Sequence, residues 1–198
     1  MTTNLVCDPK ILLDKYLSTQ DAERYFLLLM AENQKVSLVS RETTREDFDR
    51  LVAESLLPLD ILRAPMGAYL DIGSGGGMPS IPLLLSQKIS GPAILIERTG
   101  KKAAALERMI TDLPIEASVI ARNFEETNLD ETFNLVTLRY VKLTPQLLSN
   151  IMKVVSPGGV FVYYSQLDFN TPGFSAEVRS FVSPQSEVVK SFTVFRKA

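Results

Sequence analysis

Five short apolar runs constrain the fold most, because they alternate with stretches of helical spacing. The runs are AYLDI (68–72), AILIE (93–97), EASVI (116–120), FNLVTL (133–138) and VFVYY (160–164). Helical candidates lie between them at 79–88, 100–112 and 144–155. Apolar strands alternating with helices indicate a parallel sheet covered on both faces. We therefore predict an α/β fold with a doubly wound, mostly parallel sheet, which the tail SEVVKSFTVFRK closes with an antiparallel strand.

The N-terminal third has a different pattern and predicts a helical cap. Residues 9–32 carry apolar side chains at helical spacing. Thr44 and Asp47 form a Thr-x-x-Asp start signal ahead of a further amphipathic run. We predict two units, an N-terminal helical cap at 1–66 and a sheet-based domain at 67–198.

Composition narrows the class of protein and its chemistry. Of the 198 residues, 45% are hydrophobic and 22% are charged, which is ordinary for a soluble globular protein. Neither a membrane span nor a signal peptide is recognisable, and the single cysteine, Cys7, is consistent with a reducing cytoplasm. The chain has no histidine, which argues against a histidine base, a Ser-His-Asp triad and a metal site. We expect a cytoplasmic, metal-free protein that acts as a monomer away from membranes.

A glycine-rich stretch, YLDIGSGGGMPSIPLL, joins the first predicted strand to the next helix. Gly73, Gly75 and Gly77 allow tight turns and let backbone N–H groups approach a ligand closely. Glu97 ends the second strand, where its carboxylate can accept hydrogen bonds from both hydroxyls of a ribose. Ligands of doubly wound sheets bind beyond the carboxyl ends of the strands. The order of strand, glycine loop, helix, strand and acid therefore predicts a nucleoside cofactor site.

Two nucleoside cofactors suit this arrangement. A dinucleotide site requires G-x-G-x-x-G, and here Met78 occupies the position of the third glycine. The chain also lacks a Tyr-x-x-x-Lys pair for a hydride-linked proton. S-adenosylmethionine has no phosphate, and its carboxylate and ribose suit the loop and the acid. The sequence therefore favours S-adenosylmethionine over NAD.

Several segments resemble the RsmG (GidB) family. They are YLDIGSGGGMPSIPLLL, LIERTGKKAAALERMI, FNLVTLRYV and, in the cap, YFLLLMAENQKVSLVSR. The match covers most of the chain, and its most diagnostic parts are the M-P-S-I-P helix start, the G-K-K and the arginine after the fourth strand. The resemblance implies a Rossmann-like, class I S-adenosylmethionine-dependent methyltransferase. Its substrate would be N7 of a guanine in small-subunit ribosomal RNA, and its partner the small ribosomal subunit.

The same resemblance implies roles for individual residues. The methionine and ribose end of the cofactor is matched by Asp71, Gly73, Ser74, Gly75, Gly77 and Met78. Glu97 matches the ribose-binding acid, and Asn123 and Phe124 match the turn that holds the adenine. The family usually has Arg-x-Glu in that turn, where this chain has Phe124 and then Glu125. Arg139 matches an arginine beside the cofactor and the target base, and is the expected catalytic residue.

The implied methylation reaction agrees with the absence of histidine from the sequence. Guanine N7 has a lone pair and no proton, so its methylation needs no general base and can depend on alignment and proximity. Arg139 has no carboxylate near it in sequence. We therefore expect its donors to be free for a base edge, a phosphate or the cofactor carboxylate, and its removal to affect folding little.

Several positions outside the cofactor-binding segments depart from the family pattern. The segment RLVAESLLPL lacks the family's histidine and aspartate, Ser165 and Gln166 replace a Lys-Gly pair, and Tyr140 replaces an alanine. Two alternatives therefore stay open. One is a methyltransferase that acts on a small molecule or a protein, and the other is a non-catalytic S-adenosylmethionine-binding module.

The net charge of −2 requires that RNA be held by local clusters of basic residues. The candidate clusters are Arg98, Lys101 and Lys102; Arg41, Arg45 and Arg50; and Lys190, Arg196 and Lys197.

Overall fold

The computed structural model describes residues 4–63, 66–167, 169, 174–184 and 186–197. Within them the strands are β1 (Leu5–Val6), β2 (Tyr69–Ile72), β3 (Ala93–Ile96), β4 (Ser118–Ile120), β5 (Phe133–Leu138), β6 (Val155–Tyr163), β7 (Ser175–Ser183) and β8 (Ser186–Arg196). The α-helices are α1 (Pro9–Tyr16), α2 (Thr19–Asn33), α3 (Arg45–Leu56), α4 (Ser80–Leu85), α5 (Gly100–Thr111) and α6 (Pro145–Val154). No helix of these ranges is long and apolar enough to cross a bilayer.

The strands form one sheet in the order β1-β7-β8-β6-β5-β2-β3-β4. Strands β6, β5, β2, β3 and β4 run parallel to one another, and β8 is antiparallel to both β6 and β7. This confirms the predicted doubly wound, mostly parallel sheet with an antiparallel closing strand. Two strands were not predicted, the two-residue β1 and the largely exposed β7.

Both faces of the sheet are buried, which explains why its central strands read as continuous apolar runs. Successive side chains of a strand point to opposite faces. Leu135 belongs to one hydrophobic cluster and its neighbour Val136 to another. The first cluster packs helices α1 to α5 against the sheet, and the second packs α6. Helices on both faces leave the strand ends as the accessible edge.

The N-terminal helices form as the sequence indicates. The Thr44 hydroxyl accepts a bond from the backbone N–H of Asp47 at 3.1 Å, and the Asp47 carboxylate accepts one from the N–H of Thr44 at 3.2 Å. The predicted capping box at the start of α3 is therefore present. The division into two units at residue 66 stays a prediction. Leu5 pairs with Phe181 in the sheet, and the N-terminal helices pack in the same hydrophobic core as the strands.

Candidate active site

A cleft of about 650 Å³ opens at the carboxyl ends of β2, β3, β4 and β5. The chain proceeds from β2 outward to β3 and β4, and then returns to β5 on the other side of β2. This reversal is the switch point at which doubly wound sheets bind ligands. Among the sequence-predicted residues, those that line the cleft are Gly73, Ser74, Gly75, Met78, Glu97, Asn123, Phe124 and Arg139. Asp71 and Gly77 lie behind this wall and do not line it.

Glu97 holds the glycine loop against the end of β3. Its Oε2 accepts a bond from the backbone N–H of Gly75 at 2.9 Å, and its Oε1 accepts one from the N–H of Thr99 at 2.8 Å. The side chain is buried but faces the cleft. A carboxylate has about four acceptor positions, so two lone pairs stay available to donors from a ligand. Two predicted residues, the loop glycine and the acid, are thus brought together.

Two glycines of the loop have different surroundings. Both have a positive φ, +52° at Gly75 and +86° at Gly77, which side chains rarely adopt. Apart from its two chain neighbours, the described residues offer a Cβ on Gly75 no atom nearer than the Gly73 carbonyl oxygen at 3.8 Å. A Cβ on Gly77 would instead overlap the Ile81 side chain, with Cγ1 at 2.7 Å. Gly75 therefore leaves space in the cleft, and Gly77 allows the loop to pack on α4.

Asp71 supports the loop from beneath. It is 1% exposed, its Oδ1 accepts a bond from the Thr137 hydroxyl at 2.6 Å, and that hydroxyl lies 2.8 Å from the Tyr69 hydroxyl. The other carboxylate oxygen has no hydrogen-bond partner among the described residues, nor does the nearby Ser80 hydroxyl. Burial raises the pKa of the Asp71 carboxyl to about 6, against the opposing effect of the Thr137 bond. Sequence reasoning found Asp71 but missed the Thr137 and Tyr69 hydroxyls.

Two residues of α2 shape the cleft and were not predicted. The fully buried Tyr25 hydroxyl donates to the Gly76 carbonyl at 2.8 Å, so the helical cap holds the glycine loop directly. Asn33 accepts bonds from the backbone N–H groups of Leu38 and Val39 at 2.8 and 3.1 Å, which folds these two residues into the cleft wall. The family-like segment YFLLLMAENQKVSLVSR contains Tyr25, Asn33, Leu38 and Val39. Its resemblance to the family was the sequence signal that could have identified them.

The turn after β4 forms the far end of the cleft. Asn123 precedes a short 3-10 helix, Phe124–Glu126, and both Asn123 and Phe124 line the wall. Phe124 is 7% exposed and packs in the second hydrophobic cluster, while Glu125 is exposed and also lines the cleft. Asn123, Phe124 and Glu125 are therefore all within the site.

Arg139 lies at the end of β5 in the cleft wall, but the expectation that its donors are free is wrong. The residue is 4% exposed. Its Nη2 donates to the Glu54 carboxylate at 2.7 Å, and its Nη1 donates to the Ser55 hydroxyl at 2.7 Å and the Leu51 carbonyl at 3.0 Å. All three partners are on α3, far away in sequence. Their distance along the chain explains why no nearby carboxylate was seen.

The basic clusters divide into paired and unpaired sets. Arg45, Arg50 and Lys190 form ion pairs with acidic residues of the cap, and Lys197 donates to two backbone carbonyls. The cations that form no ion pair within the described ranges and line the cleft are Arg98, Lys102, Arg122 and Lys142. The cleft mouth thus carries an excess of positive charge, because four cations face the single exposed carboxylate of Glu125.

The chemistry available in the cleft is that of binding and alignment. In the part of the chain that the structure describes, no group of three His, Cys, Asp or Glu side chains could hold a metal ion. Cys7 is fully buried in the core, and burial raises the pKa of its thiol to about 12, so it is no nucleophile.

Comparison with known protein sequences identifies the family. The family model described as GidB, rRNA small subunit methyltransferase G, matches residues 18–172. Ribosomal RNA small subunit methyltransferase G of Chlorobium phaeobacteroides is 35% identical over 136 residues, covering 68% of this chain and 61% of that protein. The protein of the same name from Acidiphilium cryptum is 32% identical over 145 residues, covering 71% and 65%. The chain thus spans less than two thirds of the length of either relative.

Solved structures of methyltransferases share the fold at low sequence identity. The O-methyltransferase from Bacillus cereus in complex with SAH aligns with a TM-score of 0.65 at 15% identity, covering 96% of each chain. The N-methyltransferase NodS from Bradyrhizobium japonicum aligns with a TM-score of 0.54 at 17% identity, covering 77% of this chain and 95% of NodS. The predicted class I methyltransferase fold is confirmed.

Proposed function

Because the chain belongs to the GidB family of small-subunit rRNA methyltransferases, we propose that it transfers a methyl group from S-adenosylmethionine to N7 of a guanine in 16S ribosomal RNA. The observation that carries the proposal is the bond between Glu97 and Gly75 at the switch point of the sheet. The small ribosomal subunit is the proposed partner. A monomer acting in the cytoplasm, where the ribosomes are, belongs to the same proposal.

The cleft fits S-adenosylmethionine in shape and in the type of its polar groups. Gly75 provides a wall without a side chain, and Glu97 retains acceptor positions for ribose hydroxyls. Asn123 and Phe124 provide an amide and an apolar ring for the adenine at the β4 end. Met78 is buried at the place where a dinucleotide site needs a glycine, which supports the choice of S-adenosylmethionine over NAD.

The proposed mechanism requires alignment and no proton transfer. When bound, S-adenosylmethionine supplies an electrophilic methyl group on a sulfonium. Guanine N7 offers a lone pair and loses no proton, which suits a cleft that holds neither histidine nor a reactive thiol. The residues of the chain then need only bind and orient the two reactants, and correct alignment alone can provide several kcal/mol.

Unpaired cations at the cleft mouth support a nucleic acid as the substrate. Arg98, Lys102, Arg122 and Lys142 line the cleft and form no ion pair with any described residue. Local clusters of this kind bind phosphates even when the net charge of the protein is negative, and their contribution decreases as the salt concentration rises. The cations suit the RNA proposal better than a small neutral acceptor.

The test is transfer of a tritiated methyl group to small ribosomal subunits that lack the modification. Label in 16S rRNA should be found at one guanine, and strand cleavage specific for N7-methylguanine should map it. The Glu97→Ala variant is the matched control for cofactor-dependent transfer. Label in a protein or in another base would favour the alternative acceptor. Binding of S-adenosylmethionine without transfer to any subunit would favour the non-catalytic module.

A further inference from the structure

Tyr140 has a backbone conformation that an aromatic residue rarely adopts. Its φ is +59°, in the left-handed region, where a bulky side chain is disfavoured and where glycine is the usual choice. Residues held in such a region are enriched at sites that bind ligands, since the surrounding structure must impose the conformation. The residue directly follows Arg139, whose guanidinium is fixed on α3.

The ring of Tyr140 is exposed and yet held in place. It is 78% exposed, although a large aromatic side chain is normally buried. The Arg139 guanidinium lies over the ring, 4.8 Å from its centre, and Nη2 donates to the Tyr140 hydroxyl at 3.2 Å. Since Arg139 is itself held by Glu54 and Ser55, the ring has a fixed support on one side and is open elsewhere.

Tyr140 also stands between two cavities. It lines the cleft proposed for the cofactor and an adjoining cavity of about 320 Å³. The smaller cavity is lined by the Ser165–Gln166 pair, and by Lys190. A planar group at the boundary of the two cavities would therefore contact the exposed ring.

We propose that Tyr140 is the stacking platform for the target guanine, with the supported ring placing the base beside the cofactor cleft. This inference rests on the proposed function, because it requires a nucleobase substrate. Aromatic rings bind nucleobases through their faces, and an ordered ring loses little freedom when it does so. The support from Arg139 then makes Arg139 a positioning residue for the ring as well as part of the cleft wall.

Three substitutions separate the ring from the backbone and from the hydroxyl. Tyr140→Phe keeps the ring, Tyr140→Ala removes it, and Tyr140→Gly removes it while also relieving the positive φ. Leu27→Ala is the control, because Leu27 is 58% exposed on α2 and lines neither cavity. Each variant is measured for kcat and KM on unmodified small subunits, for S-adenosylhomocysteine affinity by calorimetry, and for melting temperature.

We expect kcat/KM to fall roughly tenfold or more in both Tyr140→Ala and Tyr140→Gly, as stacking contributions to single bases imply. Tyr140→Phe and Leu27→Ala should stay within about threefold of the wild type, and S-adenosylhomocysteine affinity should be equal in all variants. An active Tyr140→Gly beside an inactive Tyr140→Ala would place the effect in the backbone and overturn the proposal. A loss of activity in Tyr140→Phe equal to that in Tyr140→Ala would also overturn it, because the hydroxyl and not the ring would then matter. The same holds for a loss of S-adenosylhomocysteine affinity that parallels the loss of activity, and for full activity in both Tyr140→Ala and Tyr140→Gly. A wild type that methylates no RNA would instead overturn the proposed function, and this inference with it.

Discussion

The guanidinium of Arg139, at the end of β5, donates to the carboxylate of Glu54 on α3 at 2.7 Å, and the two side chains are 3% and 8% exposed. Lys190 of β8 donates to the same carboxylate at 2.6 Å. One buried acid thus joins the helical cap, the end of a central strand and the antiparallel hairpin. The wall of the proposed active site therefore depends on a contact that also stabilises the fold.

Arg139→Ala is expected to lower the free energy of unfolding by about 3 kcal/mol, because it leaves the buried Glu54 carboxylate with fewer partners. Lys190 and Arg50 still neutralise part of that charge. Methyl transfer should also fall at least roughly tenfold, which is about 1.4 kcal/mol of transition-state stabilisation. Arg139→Lys should restore little, because an ammonium cannot reproduce the planar set of donors.

Urea denaturation measures the stability of these variants. Arg98→Ala serves as the control, since Arg98 is an exposed arginine of the same cleft that forms no ion pair within the described ranges. An Arg139→Ala protein as stable as the wild type would refute the structural role assigned to the pair. Full methyl transfer by a folded Arg139→Ala protein would remove the residue from the mechanism.

Glu97→Ala should weaken S-adenosylmethionine and S-adenosylhomocysteine binding by roughly 1–3 kcal/mol, since it leaves the N–H groups of Gly75 and Thr99 and the ribose hydroxyls without their acceptor. Glu97→Gln should have an intermediate affinity, because the amide retains one acceptor oxygen. Glu107→Ala is the control, since Glu107 is an exposed carboxylate of α5 that does not line the cleft.

Calorimetry with each ligand measures these affinities, and NAD should give no binding. An affinity of Glu97→Ala equal to that of the wild type and of Glu107→Ala would show that Glu97 is not the ribose acid. Tight binding of NAD by the wild type would contradict the assignment of the cofactor.

Gly75→Ala should mainly weaken cofactor binding, whereas Gly77→Ala should mainly weaken folding. A methyl group at Gly75 enters open space in the cleft, so cofactor affinity should be lost while the unfolding free energy falls by about 1–2 kcal/mol, the cost of a positive φ. At Gly77 the methyl group meets Ile81, so folding should suffer more than binding. Thermal denaturation and calorimetry on the two variants distinguish these outcomes. Equal loss of stability in both variants would mean that Gly75 serves the fold in the same way as Gly77.

Asp71→Asn should stabilise the cofactor-free protein above pH 6. Burial raises the pKa of the Asp71 carboxyl to about 6, above its ordinary value near 4. Between about pH 4 and 6 the folded protein keeps a proton that the unfolded chain has lost, so the unfolding free energy of the wild type falls as pH rises through this window. Two pK units correspond to about 3 kcal/mol, and the neutral asparagine avoids most of that loss.

Chemical denaturation of both proteins from pH 4 to 8 tests this, because the difference between them cancels the contributions of all other carboxylates. The curves should lie close together near pH 4 and diverge up to pH 6, with the variant more stable. A constant difference across the range would show that Asp71 is ionised throughout.

Local patterns predicted most of the architecture. The apolar runs 93–97 and 133–138 became β3 and β5 within one residue, because period and flanking turns are properties of short segments. The α3 capping box was visible for the same reason. Strand β7 was missed, since its sequence alternates weakly and most of its residues are not buried. A strand of this kind is recognised by what it pairs with.

The sequence by itself determined the alternation of the central strands and helices, the glycine loop and the acid that follows it, because each is written in contiguous residues. Only the tertiary structure decided what surrounds them. Glu54 and Arg139 are 85 positions apart, and Tyr25 and Gly76 are 51 apart, so no local periodicity relates them. Their contacts exist because the helical cap packs on the carboxyl ends of the strands, where burial makes an unpaired charge or carbonyl costly and a distant partner necessary.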